Sequence, residues 1–222
     1  MSSTLDELWP PFAVTLTCGD LTLTAVRDAD LPELVDAAAS GIHHPERMPF
    51  PSAWSTLPMP ELGREIASRY WRYRASFTPH KWCLPLVVRW KGKVLGVQGA
   101  EAAKFPVART PDTFSWLTES AQRQGVGTRM RQTICAFLFD ELDAHSITSG
   151  AYFDNPASLR VSEKVGFRPN GAVQEQRGDG EAVMHQRLIL TREHFVRAPE
   201  PVVVTGAVQF RGFAGVARRG EE

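Results

Sequence analysis

The sequence predicts an α/β fold, because strand patterns are followed directly by helix patterns. Residues 21–27 alternate apolar and polar side chains, as a half-buried strand does. A helix pattern follows at 31–39, with Asp30 in the position of a capping residue. Further on, the apolar stretch 114–118 leads into a long helix whose apolar stripe extends over 126–142. Each strand therefore ends close to the start of a helix.

Two pairs of strand patterns predict antiparallel hairpins. Residues 82–90 and 94–100 are joined by the turn Lys91-Gly92-Lys93. Glycines at 96 and 99 weaken the returning strand and indicate a bulge or a close approach by another chain segment. A second hairpin is predicted from 168–173 and 181–190, with a loop between them. The remaining elements are a helix over 61–75, a strand over 147–153, and a helix that Asn155 caps and Gly166 ends.

Composition limits the class of protein. The chain has 222 residues, enough for one well-buried core, and 25 basic against 25 acidic side chains. This balance argues against a nucleic-acid partner, which would favour a basic face. Three cysteines without close spacing fit a reducing compartment. No apolar run approaches the roughly 20 residues of a membrane span, and the start lacks the pattern of an export signal. A soluble, cytoplasmic protein is expected.

The segment between strand 114–118 and the long helix predicts a phosphate site. It reads Gln122-Arg123-Gln124-Gly125-Val126-Gly127-Thr128. The two glycines let a ligand approach the backbone, and the first turn of a helix presents unpaired N–H groups to an anion. No Gly-Lys-Ser/Thr follows, so a nucleotide triphosphatase is not indicated, and Met130 stands where a dinucleotide fingerprint needs glycine.

A second motif lies downstream of the first. It comprises Asn155-Pro156-Ala157-Ser158 and then Lys164-Val165-Gly166-Phe167. Together with Gln122, Gly125 and Gly127, it resembles the acyl-CoA motif of the GCN5-related N-acetyltransferases (GNAT), particularly the RimJ/RimL-like branch. The resemblance covers residues 20–195, between a lead-in at 1–19 and a C-terminal extension at 196–222. It implies a mixed, mostly antiparallel central sheet of about seven strands flanked by helices.

The resemblance also implies the ligands and the reaction. Acetyl-CoA, or succinyl-CoA, is the expected acyl donor, with no metal. The acceptor is a small-molecule amine or the N-terminus or a lysine of a protein, acylated directly in a ternary complex. The residues expected to bind the donor are Leu117, Thr118, Gln122, Arg123, Gln124, Gly125, Val126, Gly127, Thr128, Asn155 and Ser158. Exposed backbone groups at 117–119 are expected to polarise the thioester carbonyl.

The proline-rich segment 41–60 is the candidate wall of the acceptor site. The resemblance places this segment beside the acceptor cleft, which indicates His43, His44, Arg47, Met48, Phe50 and Trp54. A distal carboxylate of a succinyl group would suit the histidines and the arginine. The alternative is that Met48, Phe50 and Trp54 only cover the core. The adjacent histidines have no third ligand at metal-site spacing, so a metal is not expected.

Catalytic residues are the least defined by the sequence. Asp112 and Glu119 flank the central strand and are candidate bases, as is His43. Ser162 stands where many relatives have a tyrosine that protonates the departing thiolate. Cys135 is not expected to act as a nucleophile, because it falls within the long helix. Two rival readings remain: a CoA-binding regulatory module without transfer activity, and an assembly protein that binds no CoA.

The C-terminal extension contains an apolar stretch, 201–213, that is predicted to form a strand. An exposed strand of this kind would be an association edge. The extension is therefore expected to pack on its own domain or on a second subunit, and a homo-oligomer is predicted.

Overall fold

The centre of the molecule is one large sheet. A computed structural model describes residues 3–44, 46–178 and 180–216. The strands that it shows are β1 Thr15–Cys18, β2 Leu21–Ala25, β3 Lys81–Trp90, β4 Lys93–Ala103, β5 Asp112–Leu117, β6 Ser146–Tyr152, β7 Arg168–Arg177, β8 Glu181–Thr191 and β9 Val203–Thr205. They lie in the order β7-β8-β6-β5-β4-β3-β2-β1-β9. The β5–β6 pair is parallel and the other neighbours are antiparallel, so the predicted mixed, mostly antiparallel sheet is confirmed.

The described part of the sheet has nine strands, two more than the resemblance implies. The additional strands are β1, which lies within the segment taken as a lead-in, and β9, which lies in the C-terminal extension. They pair with each other, with Leu16 opposite Val204. Leu16 and Cys18 are fully buried, so β1 contributes to the core. No sequence pattern indicates β1, because a four-residue strand is too short to show a clear alternation of apolar and polar residues.

Helices cover both faces of the sheet. Their bounds are α1 Leu5–Leu8, α2 Leu31–Ala39, α3 Glu61–Ala75, α4 Phe105–Ala108, α5 Val126–Asp140, α6 Pro156–Val165 and α7 Ala207–Phe213. The predicted bounds of α2 and α3 are confirmed. Asp30, however, makes no side-chain cap to α2. Its carboxylate accepts from the Arg27 backbone N–H and from Arg89 Nη2, both at 2.7 Å.

The two glycines of β4 are explained by close approaches. A Cβ atom on Gly96 would lie 2.1 Å from the Trp116 carbonyl oxygen, and one on Gly99 would lie 2.2 Å from the Phe114 ring. Gly96 also has a φ of +154° and lies beside a register shift after Val88. The close approach that the sequence predicts is confirmed, and it lets β5 pair with β4.

The sheet separates two hydrophobic cores. The larger core joins α5 and α7 to one face, and the smaller core joins α2 and α3 to the other. Cys135 lies in the larger core, where burial raises the pKa of its thiol to about 12. A thiol that stays protonated at neutral pH and has no exposure is not a nucleophile.

Two predicted elements differ in extent. The strand predicted over 201–213 is limited to β9, because Gly206 has a φ of +75° and lies against the Ala13 carbonyl, and α7 follows. Phe210 on α7 is fully buried against this chain's own sheet. Residues 217–222 of the predicted extension, and residues 1–2 of the lead-in, lie outside the described residues. In the last hairpin, β7 continues to Arg177, so the connecting turn is shorter than predicted.

Candidate active site

A cleft opens where the two parallel strands separate. Only Asp112 on β5 and Thr148 on β6 are paired in register within the described sheet. Beyond this pair the strands diverge toward their carboxyl ends, and a cleft of about 1390 Å³ lies along them. This volume exceeds the roughly 300–1,000 Å³ of typical small-molecule sites. The cleft is therefore large enough for two substrates.

One end of the cleft is formed by the glycine turn before α5. Gly125 has a φ of +85° and nothing lies within 4 Å of a Cβ atom placed on it. Gly127 follows in the first turn of α5, and both glycines line the cleft. The positive end of the helix and its free N–H groups face an open cradle, which fits a pyrophosphate.

Three cations surround this cradle. Arg123 precedes the glycine turn, and Arg160 and Lys164 lie one turn apart on α6. All three line the cleft, and none forms an ion pair with another described residue. Arg129, on the first turn of α5, instead pairs with Glu200. Arg160 and Lys164 were not among the predicted residues, although their i, i+4 spacing after the Asn155 cap was a usable signal.

Most of the predicted donor-binding residues line the cleft, and three do not. Those that line it are Leu117, Gln122, Arg123, Gly125, Gly127, Thr128, Asn155 and Ser158. Thr118 and Val126 are buried in the protein interior. The Gln124 side chain donates to the Ser120 carbonyl at 2.6 Å. The side chains at these three positions contact other parts of the protein and not the cleft.

The structure corrects the expected position of the backbone donors. The Thr118 N–H donates to the Leu95 carbonyl at 2.8 Å, and the Glu119 N–H donates to the Gly41 carbonyl at 2.9 Å. Neither group is available to a thioester. The edge of β5 that faces β6 has no backbone pairing with that strand after Asp112, although the Thr113 carbonyl accepts from Ser149 Oγ at 3.2 Å and the Leu117 carbonyl accepts from Gln122 Nε2 at 3.1 Å.

Gln122 connects the donor end to the neighbouring loop. Its Nε2 atom donates to the Ile42 carbonyl at 2.6 Å and to the Leu117 carbonyl at 3.1 Å. The motif glutamine thus holds the start of segment 41–60 against the end of β5. Gln122 therefore has a structural role in this chain.

Asp112 lies at the opposite end of β5 and faces the cleft. Its Oδ2 atom accepts from the Thr148 hydroxyl at 2.7 Å. Burial raises the pKa of Asp112, while the Thr148 hydrogen bond and the charges of Arg131 and His185 oppose that rise. A half-buried carboxylate with a raised pKa in a cleft is the environment of a general base.

The other catalytic candidates have different surroundings. Glu119 lines the cleft at its donor end, beside the glycine turn. His43 uses both ring nitrogens within the loop, toward the His44 carbonyl at 2.9 Å and Ser55 Oγ at 2.8 Å. The Ser162 side chain is 1% exposed and is not among the described residues that line the cleft, whereas Ser158 is. The tyrosine-equivalent position is therefore a buried one here.

The predicted acceptor wall divides into two groups. His43, His44, Arg47 and Phe50 line the cleft. Met48 and Trp54 do not, and Trp54 is buried between Phe50 and Trp116. The core-covering alternative is thus correct for Trp54, because its ring belongs to the smaller core.

Segment 41–60 is fastened to the tip of the β7–β8 hairpin. Arg177 Nη1 donates to the Met48 carbonyl at 3.3 Å, and the Gly178 N–H donates to the Pro51 carbonyl at 3.0 Å. Arg177 also pairs with Asp154 at 2.8 Å and with Glu181 at 2.9 Å. These contacts close the acceptor end of the cleft on one side.

A buried guanidinium lies beneath the diverging strands. Arg131, on α5, is 4% exposed and donates to Gln98 Oε1 at 3.2 Å, Ser149 Oγ at 2.9 Å and Ser115 Oγ at 3.0 Å. Burial lowers its pKa. In the sequence, Arg131 counts with Arg123 and Arg129 among the positive charges around the glycine turn, but its guanidinium instead contacts side chains of β4, β5 and β6.

The comparisons with known proteins agree with this geometry. The family model described as "Acetyltransferase (GNAT) domain" matches residues 20–168. The chain therefore belongs to the GNAT acetyltransferase family. Members of this family are acyl-CoA-dependent N-acetyltransferases.

Solved structures show the same fold at low sequence identity. Mycobacterium smegmatis RimJ, in complex with CoA-disulfide, is 20% identical, with a TM-score of 0.69 over 92% of this chain and 95% of that chain. An acetyltransferase from Salmonella typhimurium that modifies the N-terminal serine of ribosomal protein L7/L12 is 17% identical, with a TM-score of 0.63 over 78% and 95%. A spermidine N-acetyltransferase SpeG chimera from Vibrio cholerae and hSSAT is 18% identical, with a TM-score of 0.62 over 79% and 97%.

Membrane-spanning helices and metal-binding groups are absent from the described part of the chain. Within 3–44, 46–178 and 180–216, no helix has the length and apolar character needed to cross a membrane. The same ranges contain no group of three His, Cys, Asp or Glu side chains arranged to hold a metal ion.

Proposed function

We propose that the protein transfers an acetyl group from acetyl-CoA to a primary amine, by direct attack in a ternary complex. The observation that carries this proposal is a single cleft with the glycine turn at one end and Asp112 at the other. The donor end supplies groups for a pyrophosphate, and the acceptor end supplies a carboxylate for a proton.

The donor is held mainly by backbone groups and cations. The N-terminal turn of α5 receives the pyrophosphate, and Arg123, Arg160 and Lys164 balance the negative charge of CoA. The pantetheine arm lies along β5 between Thr113 and Leu117, where the strand has no backbone pairing with β6, and Asn155 and Ser158 face it from α6. Acetyl-CoA supplies a thioester that an amine can attack.

Asp112 is the proposed base. A primary ammonium must lose a proton before its nitrogen can attack, and Asp112 receives that proton. The nitrogen then forms a bond to the acyl carbon, and the bond from this carbon to sulfur breaks. The thiolate leaves with the electron pair and receives the second proton that the nitrogen loses as the amide forms, and its pKa of about 8.5 makes a dedicated acid less important. Ser158, which faces the cleft, is better placed than Ser162 to hydrogen-bond the sulfur.

A second donor is favoured by one observation. Arg47 lines the cleft and has no ion pair recorded among the described residues, so it is a candidate partner for the carboxylate of succinyl-CoA. His44 stands beside it, with an exposed ring. The acceptor is a small-molecule amine or a protein N-terminus or lysine. Homo-oligomer formation stays a prediction, which light scattering would test.

Calorimetric titration with acetyl-CoA, succinyl-CoA and free CoA tests the donor site. The double variant Gly125→Asp/Gly127→Asp places carboxylates against the pyrophosphate and should weaken binding by about 100-fold or more. Gly92→Asp is the control for a carboxylate at a left-handed position, because Gly92, like Gly125, has a positive φ (+81°) and nothing lies within 4 Å of a Cβ atom placed on it. Equal binding by the double variant and the control would contradict the proposed site.

Amine-dependent release of thiol from acetyl-CoA tests the transfer. Thiol release that requires both a primary amine and Asp112 would support the proposed acetyltransferase activity. Tight CoA binding without release over a broad panel of amines would instead favour the regulatory module, and no binding of CoA would favour the assembly protein.

A further inference from the structure

A group of polar side chains at the acceptor end has no role in the donor site or in the proposed proton transfer. It consists of Tyr152 on β6, Glu175 on β7 and His185 on β8, and all three line the cleft. We propose that these residues bind the ammonium group of the acceptor and orient it for attack. This inference rests on the proposed function and assigns the residues that select the substrate.

Two polar atoms in this group lack partners. Tyr152 Oη and His185 Nδ1 are both buried, and neither has a hydrogen bond within the described structure. Leaving such an atom unsatisfied costs about 1–3 kcal/mol. Both residues line the cleft, and an unsatisfied polar atom on each indicates that a ligand completes the hydrogen bonds there.

The positions of these side chains are fixed by the sheet. Tyr152 and His185 are directly opposite each other across β6 and β8, and their rings meet edge to face with centroids 5.2 Å apart. Gly150 leaves room for the His185 ring, since a Cβ atom there would lie 2.2 Å from Cε1. The Arg177 guanidinium lies over the Tyr152 ring, 5.1 Å from its centre. The unsatisfied hydroxyl is therefore held rigidly.

The charge of the group selects a cation. Glu175 Oε1 lies 3.8 Å from His185 Nδ1, too far for a hydrogen bond but close enough for both atoms to contact one small group. Burial raises the pKa of Tyr152, so its hydroxyl keeps its proton and its oxygen can accept. An ammonium group has three donors, and the Tyr152 oxygen and the Glu175 carboxylate offer acceptors for two of them beside the His185 ring.

Asp112 adds to this selection from the neighbouring strand. It lines the same cleft. The acceptor end thus contains two carboxylates, whereas Arg123, Arg160 and Lys164 surround the donor end. A cationic amine and an anionic donor are directed to opposite ends of one cleft.

Calorimetric titration of amines into the protein saturated with free CoA tests this assignment without requiring turnover. The probes are butylamine, a lysine-free peptide with a free N-terminus, and the same peptide acetylated at its N-terminus. Butylamine and the free peptide share the ammonium group, and their relative affinities distinguish a small amine from a protein terminus. The acetylated peptide should not bind.

Two variants probe the group. Tyr152→Phe removes only the hydroxyl and should weaken amine binding by about 10-fold, and Glu175→Gln should weaken it by about five-fold. Both should leave the affinity for acetyl-CoA unchanged and raise the KM for the amine more than they lower kcat. Tyr73→Phe and Glu163→Gln are matched controls, because neither residue lines the cleft.

The outcomes separate this inference from the proposed function. Unchanged amine affinity in both variants, or no amine binding by the wild-type protein, would overturn the inference. Loss of acetyl-CoA binding or absence of transfer in the wild-type protein would overturn the proposed function. Weakened amine binding with an intact donor site would support both.

Discussion

The two ends of the cleft are built in different ways. The donor end uses one continuous part of the chain, from β5 through the glycine turn to α6, and its contacts come from backbone groups and three cations. The acceptor end collects side chains from β5, β6, β7, β8 and segment 41–60. CoA is thus bound largely by backbone groups, which depend little on the identity of the side chains. The acceptor amine is bound by particular side chains.

Of the single substitutions considered, Asp112→Asn should have the largest effect on activity, and that effect should be confined to the acceptor end. Removing the proposed base should lower kcat by about 10²–10⁴-fold, while the affinity for acetyl-CoA measured by calorimetry stays the same. Asp36→Asn, on the exposed side of α2, is the control. Full activity of Asp112→Asn would mean that another group accepts the proton.

The same substitution should stabilise the fold at neutral pH. Because burial raises the pKa of Asp112, folding favours its protonated form. The associated stability is present below the ordinary value of 3.8 and is lost as the pH rises through the folded value. Asparagine cannot ionise, so Tm should rise at pH 7 and the difference from wild type should vanish in acid. A lower Tm at pH 7 would contradict this account.

Substitution of both α6 cations should affect only the donor end. Arg160→Ala/Lys164→Ala should weaken acetyl-CoA binding by about 10-fold at low salt, and the effect should shrink as salt screens these exposed charges. Amine binding should not change. A loss of affinity that is independent of salt would indicate a structural effect on α6 instead.

Arg177→Ala should affect mainly the acceptor end. The variant loses the contact to the Met48 carbonyl and the support of the Tyr152 ring, so the KM for the amine should rise by about five-fold. The Kd for acetyl-CoA should be unchanged. Arg192→Ala, which removes an ion pair to Asp140 far from the cleft, is the control. Equal effects of the two variants on KM would show that the hairpin tip does not shape the acceptor site.

Asn155→Ala should have the smallest effect. Asn155 Oδ1 accepts from the Ser158 N–H at 3.2 Å, which caps α6. Loss of this cap should lower the free energy of unfolding by about 1 kcal/mol, as measured by urea denaturation. A two- to three-fold rise in the Kd for acetyl-CoA would show that the asparagine also contacts the donor. An unchanged Kd would restrict it to the cap.

The difference between the two ends also explains what the sequence could predict. The Gly125-Val126-Gly127 turn and the Asn155 cap require particular residue types for local backbone reasons, so they are visible in one short window. Arg160 and Lys164 were accessible in the same way through helix spacing. The helices at 31–39 and 61–75 were predicted for a similar reason, since their apolar periodicity is local.

The acceptor end had no such signal. Tyr152, Glu175 and His185 are single polar residues on three strands, and they meet only because the strand order brings β7, β8 and β6 together. The burial of Arg131 beneath the strands has no local signal, because its partners Gln98, Ser115 and Ser149 are distant in sequence. Trp54 was assigned to the acceptor wall because an aromatic side chain in a loop cannot be located without its neighbours.

The fastening of segment 41–60 to the hairpin tip has a consequence for protein engineering. Gly178 and Arg177 hold Pro51 and Met48 across the acceptor end, and none of these four residues belongs to the glycine turn or to α6. The loop and the hairpin tip could therefore be exchanged together, provided that the new loop keeps the carbonyl at position 42 that accepts from Gln122 Nε2 at the donor end. Transplanting only one of the two partners would break the fastening, so chimeras should recombine them as a pair.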